Sequence, residues 1–125
     1  MATIKVRRVY DTPRPDDGTR VLVDRLWPRG VSKERAAVDA WLKEVAPSGE
    51  LRGWYHHDRS RYEEFDARYR TELEDGAAAQ ALERLRALVR GGPVTLVTSV
   101  KRVEGSHVPT LVDVLERSAE PPASR

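Results

Sequence analysis

Gly91-Gly92-Pro93-Val94-Thr95-Leu96-Val97-Thr98-Ser99-Val100 is the stretch whose reading decides the fold. Two glycines and a proline launch a continuous aliphatic and β-branched run. Such a run reads as a strand covered on both faces rather than one facing water on alternate residues. Val21-Leu22-Val23 reads the same way. Between the two runs the apolar period is helical, so the chain leaves one buried strand, crosses over through helices and returns to another. That order favours parallel pairing of the two runs. The fold class predicted is α/β, with a small, partly parallel sheet of about three strands flanked by helices.

Upstream, residues 3–9 alternate, with Ile4 and Val6 set against Thr3, Lys5 and Arg7. This is a half-buried strand at a sheet edge. Residues 11–18 form a loop, because Pro13, Pro15 and the Asp17-Gly18 pair exclude regular structure. About ten loop residues are too few for the usual crossover between parallel strands, so the orientation of the first strand is left open.

Four helical segments are expected between or after the buried runs. The first is short and carries Val38, Trp41, Leu42 and Val45, ending at Pro47. Ser48 can cap a turn with Leu51, Trp54 and Tyr55. A longer helix starts near Asp58 or Ser60 and presents Tyr62, Phe65, Tyr69 and Leu73 on one side, until Gly76 breaks it. The next carries Ala78, Ala81, Leu82, Leu85, Leu88 and Val89. A last helix begins near Ser106 and uses Val108, Leu111, Val112 and Leu115; Pro109 is tolerated in its first turn, where the backbone N–H has no helical partner to lose.

The 125 residues suit one domain, assigned to residues 1–118 with a frayed tail at 119–125. Cysteine is absent, which removes thiol nucleophiles, disulfides and cysteine zinc sites together. No apolar stretch approaches the roughly 20 residues of a membrane span, and the start of the chain lacks a signal-peptide core. The expected location is cytoplasmic, with no membrane partner. Charge is nearly balanced, 22 basic against 20 acidic residues. Its distribution is not: residues 1–35 hold nine basic and five acidic side chains, and residues 36–125 hold thirteen and fifteen.

In an open α/β sheet, ligands sit beyond the carboxyl ends of the strands. The Val21 run delivers Asp24, Arg25, Trp27 and Arg29 there, and the Val94 run delivers Thr98, Ser99 and Lys101. The start of the last helix, Ser106-His107, follows directly. Arginine's planar donor fork suits phosphate and carboxylate. Arg25, Trp27, Arg29, Lys101 and Ser106 are therefore the candidate ligand-binding residues. Asp24 reads as a general base or as an anchor for Arg25 or Arg29. Trp27 reads as the closing edge of a core or as a ring for stacking a ligand.

His56-His57-Asp58 invites a metal reading, with Glu104 and His107 as the only further candidates. Adjacent histidines on a regular element point apart, and an Asp there more often caps the next helix. No metal site and no cofactor are assigned. Asp24, His57, Asp58 and His107 remain the catalytic candidates. Ser99, Ser106, His107 and Asp113 contain the ingredients of a nucleophile–base pair, but no G-x-S-x-G elbow is present.

Asp17-Gly18, Arg20 and the block Val21-Leu22-Val23-Asp24-Arg25-Leu26-Trp27-Pro28-Arg29-Gly30 with Lys33 resemble the YeaO-like bacterial proteins, a family named as a domain of unknown function (number 488). The resemblance runs on through Trp41-Leu42-Lys43, Pro47-Ser48, Leu51-Arg52, Trp54, His57-Asp58, Phe65, Tyr69, Pro93-Val94-Thr95-Leu96 and Lys101. It implies a small α/β domain and marks Asp24, Arg25, Trp27, Arg29, His57, Asp58 and Lys101 as special. It implies no activity. The chain departs from the pattern after the third strand. Arg102 stands where the family has aspartate, and Gly105 stands where its first histidine is expected. His107 matches a second histidine, and His56 replaces a common glycine.

The function expected first is binding of a small anionic ligand, phosphate or carboxylate, at the strand ends, with or without catalysis. The alternatives are a nucleic-acid or protein-interaction module using the N-terminal basic excess, and a metal-dependent hydrolase. The sequence does not set the oligomeric state.

Overall fold

A computed structural model describes residues 4–119. The frayed tail expected at 119–125 lies outside the described residues from 120 onward, and Ala119 still belongs to the last helix. Four strands form one sheet: β1 (Ile4–Arg8), β2 (Thr19–Leu22), β3 (Ala40–Trp41) and β4 (Val94–Thr98). Their order across the sheet is β1-β4-β2-β3, and every neighbouring pair is parallel. The helices are α1 (Lys33–Ala36), α2 (Gly49–His57), α3 (Tyr62–Glu72), α4 (Gly76–Gly91) and α5 (Val108–Ala119).

The side-chain alternation of β2 and β4 divides the core between the two faces of the sheet. Val21, Val23, Val94 and Leu96 belong to the larger cluster, with Leu51, Phe65, Tyr69, Leu82, Leu85, Leu111 and Leu115 from α2–α5. Leu22 and Val97 point the other way and join Val9, Val31 and Ala36. Helices α2–α5 thus cover one face, while the β1–β2 connection and the single turn α1 cover the other. This is why both central strands read as continuous apolar runs.

The connection from β1 to β2 runs parallel to parallel in ten residues without an α-helix, only a 3₁₀ turn at Pro15–Asp17. Asp17 fastens it across the sheet: its carbonyl accepts from Thr95 Oγ1 at 2.7 Å and its carboxylate from Arg20 Nη1 at 2.6 Å. The chain then re-enters the sheet at Gly18, with φ +67°; a Cβ there would lie 2.3 Å from the Pro93 carbonyl oxygen. Only glycine fits both the left-handed backbone and the close approach.

The helix expected over Val38, Trp41, Leu42 and Val45 does not form. Ala37 takes a left-handed conformation (φ 51°) that ends α1. Asp39 then binds the β2 main chain twice, accepting from Arg20 N at 2.8 Å and donating from its own N to Arg20 O at 2.7 Å. The segment becomes strand β3, the fourth of the sheet, and a 3₁₀ turn at Lys43–Val45. The i, i+3, i+4, i+7 spacing was real, but pairing with the open edge of β2 outweighs a weak local helical preference.

The remaining helices follow the sequence. Ser48 caps α2, its Oγ accepting from Leu51 N at 3.1 Å and donating to Glu72 Oε2 at 2.6 Å. It therefore ties the start of α2 to the end of α3. Ser48→Ala is expected to lower stability by about 1–2 kcal/mol, seen as a fall of roughly 5 °C in a thermal melt.

Candidate functional site

The carboxyl ends of β2 and β4 lie side by side in the sheet, and the chain leaves each in a loop. The loop after β2 is held at several points. Trp41 donates its indole N–H to Asp24 O at 2.8 Å, and Trp27 donates its own to Val31 O at 2.6 Å. The two rings meet edge to face at 5.5 Å. Trp27 thereby closes the edge of the smaller core cluster, the first of the two roles its sequence suggests. Arg25 spans to the next segment, donating from Nε to Pro47 O and from Nη2 to Ala46 O, each at 3.0 Å.

Asp24 is buried at the base of this loop. Its carboxylate accepts from Thr98 Oγ1 at 2.7 Å, Ser99 N at 2.7 Å and Ser99 Oγ at 2.9 Å. It anchors neither Arg25 nor Arg29. The sequence brought Asp24 beside arginines along the chain, but its carboxylate turns to the end of the adjacent strand, where three donors converge. His107 lies alongside, its Nε2 3.8 Å from Asp24 Oδ1. That nitrogen contacts Val23 O at 2.9 Å. A carbonyl only accepts, so Nε2 carries the proton and donates. Burial pushes the His107 pKa below its usual value, against the opposing pull of Asp24 and the Val23 carbonyl.

Ser106 is also committed. Its Oγ donates to Val103 O at 2.7 Å and accepts from Val108 N at 3.1 Å, capping α5. Asp58 caps as well, accepting from Ser60 N at 3.0 Å and pairing with Arg61 at 3.3 Å. The side-chain and backbone hydrogen bonds from Ser60 hold its pKa below the ordinary carboxylate value. Asp113, the acid of the sequence-level nucleophile set, sits away with Arg70 and Arg117. Ser99 bonds Asp24 rather than a histidine. Among the described residues, neither Ser99 nor Ser106 is paired with a histidine. Among the described residues, no three His, Asp or Glu side chains gather closely enough to hold a metal ion.

Between the two loops and α2 opens a cavity of about 850 Å³. Arg25, Trp27, Arg29, Lys101, Ser106, Asp24, His57 and His107 all line it; Asp58 does not. The sequence reading missed Arg52, Arg59 and Arg102, which line it too. Arg52, His56 and Arg59 recur at i, i+4 and i+7, a helical polar stripe that was the available signal. Six lysine and arginine side chains thus line a cavity with one carboxylate, that of Asp24, which already accepts three hydrogen bonds. Among the described residues, Arg29, Arg52, Lys101 and Arg102 make no side-chain hydrogen bond or ion pair. Several arginines elsewhere on the helices are paired, as in Arg68 with Glu64 and Arg70 with Asp66.

Residues 3–123 match the family model described as "Inactive DUF488-N3 subclade" (DUF488-N3i). The chain belongs to this family. Relatives include the uncharacterized protein Rv3073c of Mycobacterium tuberculosis, 49% identical over 112 residues, covering 90% of this chain and 92% of that protein. The uncharacterized protein YeaO of Escherichia coli is 41% identical over 112 residues, covering 90% of this chain and 96% of YeaO. The YeaO-like resemblance read from the 24–30 block is therefore real across the domain. No solved structure gives a significant match. As a DUF488-N3i member the chain is a small α/β domain, and among its described residues no helix is long and apolar enough to cross a membrane.

Proposed function

We propose that this domain binds a small phosphate- or carboxylate-bearing anion at the carboxyl ends of β2 and β4 and leaves it chemically unchanged. The observation that carries the reading is the cavity wall. Three chain segments direct cations around one concavity whose lone carboxylate already accepts three hydrogen bonds. Like charges gathered without counter-charges repel one another, and an anion relieves that repulsion while gaining charge-assisted hydrogen bonds. Binding without turnover is supported by the commitments of the would-be catalytic groups. Asp24, Ser106 and the Nε2 of His107 are each engaged in the fold. Arg102 and Gly105 replace an acid and a histidine of the resembled pattern, and the subclade is described as inactive.

The test is thermal shift with orthophosphate, pyrophosphate and citrate on the wild type and on Arg29→Ala/Lys101→Ala. Both substituted residues are exposed, so the variant should fold normally. At one hundred times Kd, a ligand adds about 2.7 kcal/mol of stability, which the wild type should show and the variant should largely lose. Equal stabilisation of both proteins, or of neither, defeats the proposal. Arg25→Ala is a poor probe, because it also strips hydrogen bonds from the Ala46 and Pro47 carbonyls.

A further inference from the structure

The cavity is too large for the ion that its charge calls for. Its volume of about 850 Å³ lies in the range of pockets that take a drug-sized molecule. Its cations are also spread over three segments: Arg29 after β2, Arg52 and Arg59 on or just beyond α2, and Lys101 and Arg102 after β4. Cations carried by three separate segments suit a ligand with more than one anionic group.

The α2 wall holds a second clue. Gly49 and Gly53, one turn apart, both line the cavity. A Cβ added at either would meet nothing within 4 Å, and neither has a positive φ. The fold thus gives no steric or backbone reason for glycine at Gly53, well inside a helix, where glycine is disfavoured. Their bareness leaves a flat strip of helix backbone facing the empty space. The rings of Trp27, Tyr55 and Phe65 line the same cavity, those of Tyr55 and Phe65 mostly buried in the core.

We infer that the ligand is an organic polyphosphate of nucleoside diphosphate size, with its phosphates among Arg29, Lys101 and Arg102 and its flat ring against the Gly49–Gly53 strip of α2. This rests on the anion-binding reading above and specifies its ligand class. Phosphate is favoured over carboxylate because several phosphate oxygens can engage several arginine forks at once. The ring supplies the apolar area that an inorganic ion lacks.

Calorimetric titration of ADP, GDP, CDP and UDP, with pyrophosphate, orthophosphate and fructose 1,6-bisphosphate as comparison probes, tests this on three proteins: wild type, Arg29→Ala/Lys101→Ala and Gly53→Ala. At least one nucleoside diphosphate should bind the wild type about tenfold more tightly than pyrophosphate. Gly53→Ala should weaken that nucleotide by about fivefold or more, leave pyrophosphate unchanged and slightly raise the melting temperature, since alanine is the better helix former. The inference is overturned, with the anion reading intact, if pyrophosphate binds as tightly as every nucleotide and only the double variant loses it. It is likewise overturned if fructose 1,6-bisphosphate binds tightest, or if Gly53→Ala binds the nucleotide as the wild type does. If none of the seven probes binds, the anion reading itself fails.

Discussion

Arg20→Ala is expected to destabilise the domain by about 4 kcal/mol, the scale for stranding one partner of a buried ion pair. Arg20 and Asp17 are nearly inaccessible, with side chains 6% and 2% exposed, and their atoms are 2.6 Å apart. Arg20 also donates from Nε to Ala37 O at 2.9 Å and from Nη2 to Ala36 O at 3.0 Å. One guanidinium thus joins β2, the β1–β2 connection and the end of α1. Alanine would leave the Asp17 carboxylate buried, with Arg7 at 3.5 Å, too far for a hydrogen bond, and with the Arg14 N–H at 3.1 Å. Chemical denaturation should show the loss as a lower midpoint with an unchanged slope.

The same pair sets an acid limit. Burial pushes the Asp17 carboxyl up, but the Arg14 N–H, Arg20 and Arg7 outweigh it and hold its pKa below the ordinary value. A carboxyl with a lowered folded-state pKa contributes stability that is complete above its unfolded pKa of about 4 and lost as pH falls through the folded value. The gap between wild type and Arg20→Ala should therefore be full at neutral pH and shrink below about pH 4. A constant gap down to pH 2 would show that the lost stability comes from the Ala36 and Ala37 carbonyls instead.

Asp24→Ala is expected to cost about 3 kcal/mol, or roughly 10 °C in a thermal melt. It strands Thr98 Oγ1, Ser99 N and Ser99 Oγ, all of which point at this carboxylate. Asp24→Asn should fall between the two. Its single carbonyl oxygen can still accept, while its amide faces donors it cannot satisfy. If Asp24→Ala melted like the wild type, the carboxylate would be free for chemistry rather than a clamp between the two loops, and the account of the site would need rebuilding.

The central strands were readable because burial on both faces erases alternation, and Val21-Leu22-Val23 and Val94-Thr95-Leu96-Val97 carry that signature on their own. The parallel arrangement of β2 and β4 followed from chain order, and with it the position of the cavity. The segment from Val38 to Val45 was not readable locally. Its fate depends on Asp39 finding the Arg20 main chain, a contact made across 19 positions. Partners inside the site were equally hidden. Nothing in Asp24-Arg25 distinguishes a carboxylate that holds an arginine from one that turns to the neighbouring strand. Likewise, a guanidinium fork suits the Ala46 and Pro47 carbonyls as well as it suits phosphate. The sequence alone does not place Arg52 and Arg59 beside Arg29 and Lys101; the fold brings all four to one cavity.

The most direct test of the central claim is an NMR titration of uniformly labelled protein with pyrophosphate, following backbone amides, arginine Nε–Hε groups and the Trp27 indole. Saturable shifts should concentrate in residues 25–30, 49–59 and 99–107, with the signals of Lys5, Arg84 and Arg90 staying still. Shifts scattered over those distant cations, or none at saturating pyrophosphate, would contradict an anion site at the strand ends.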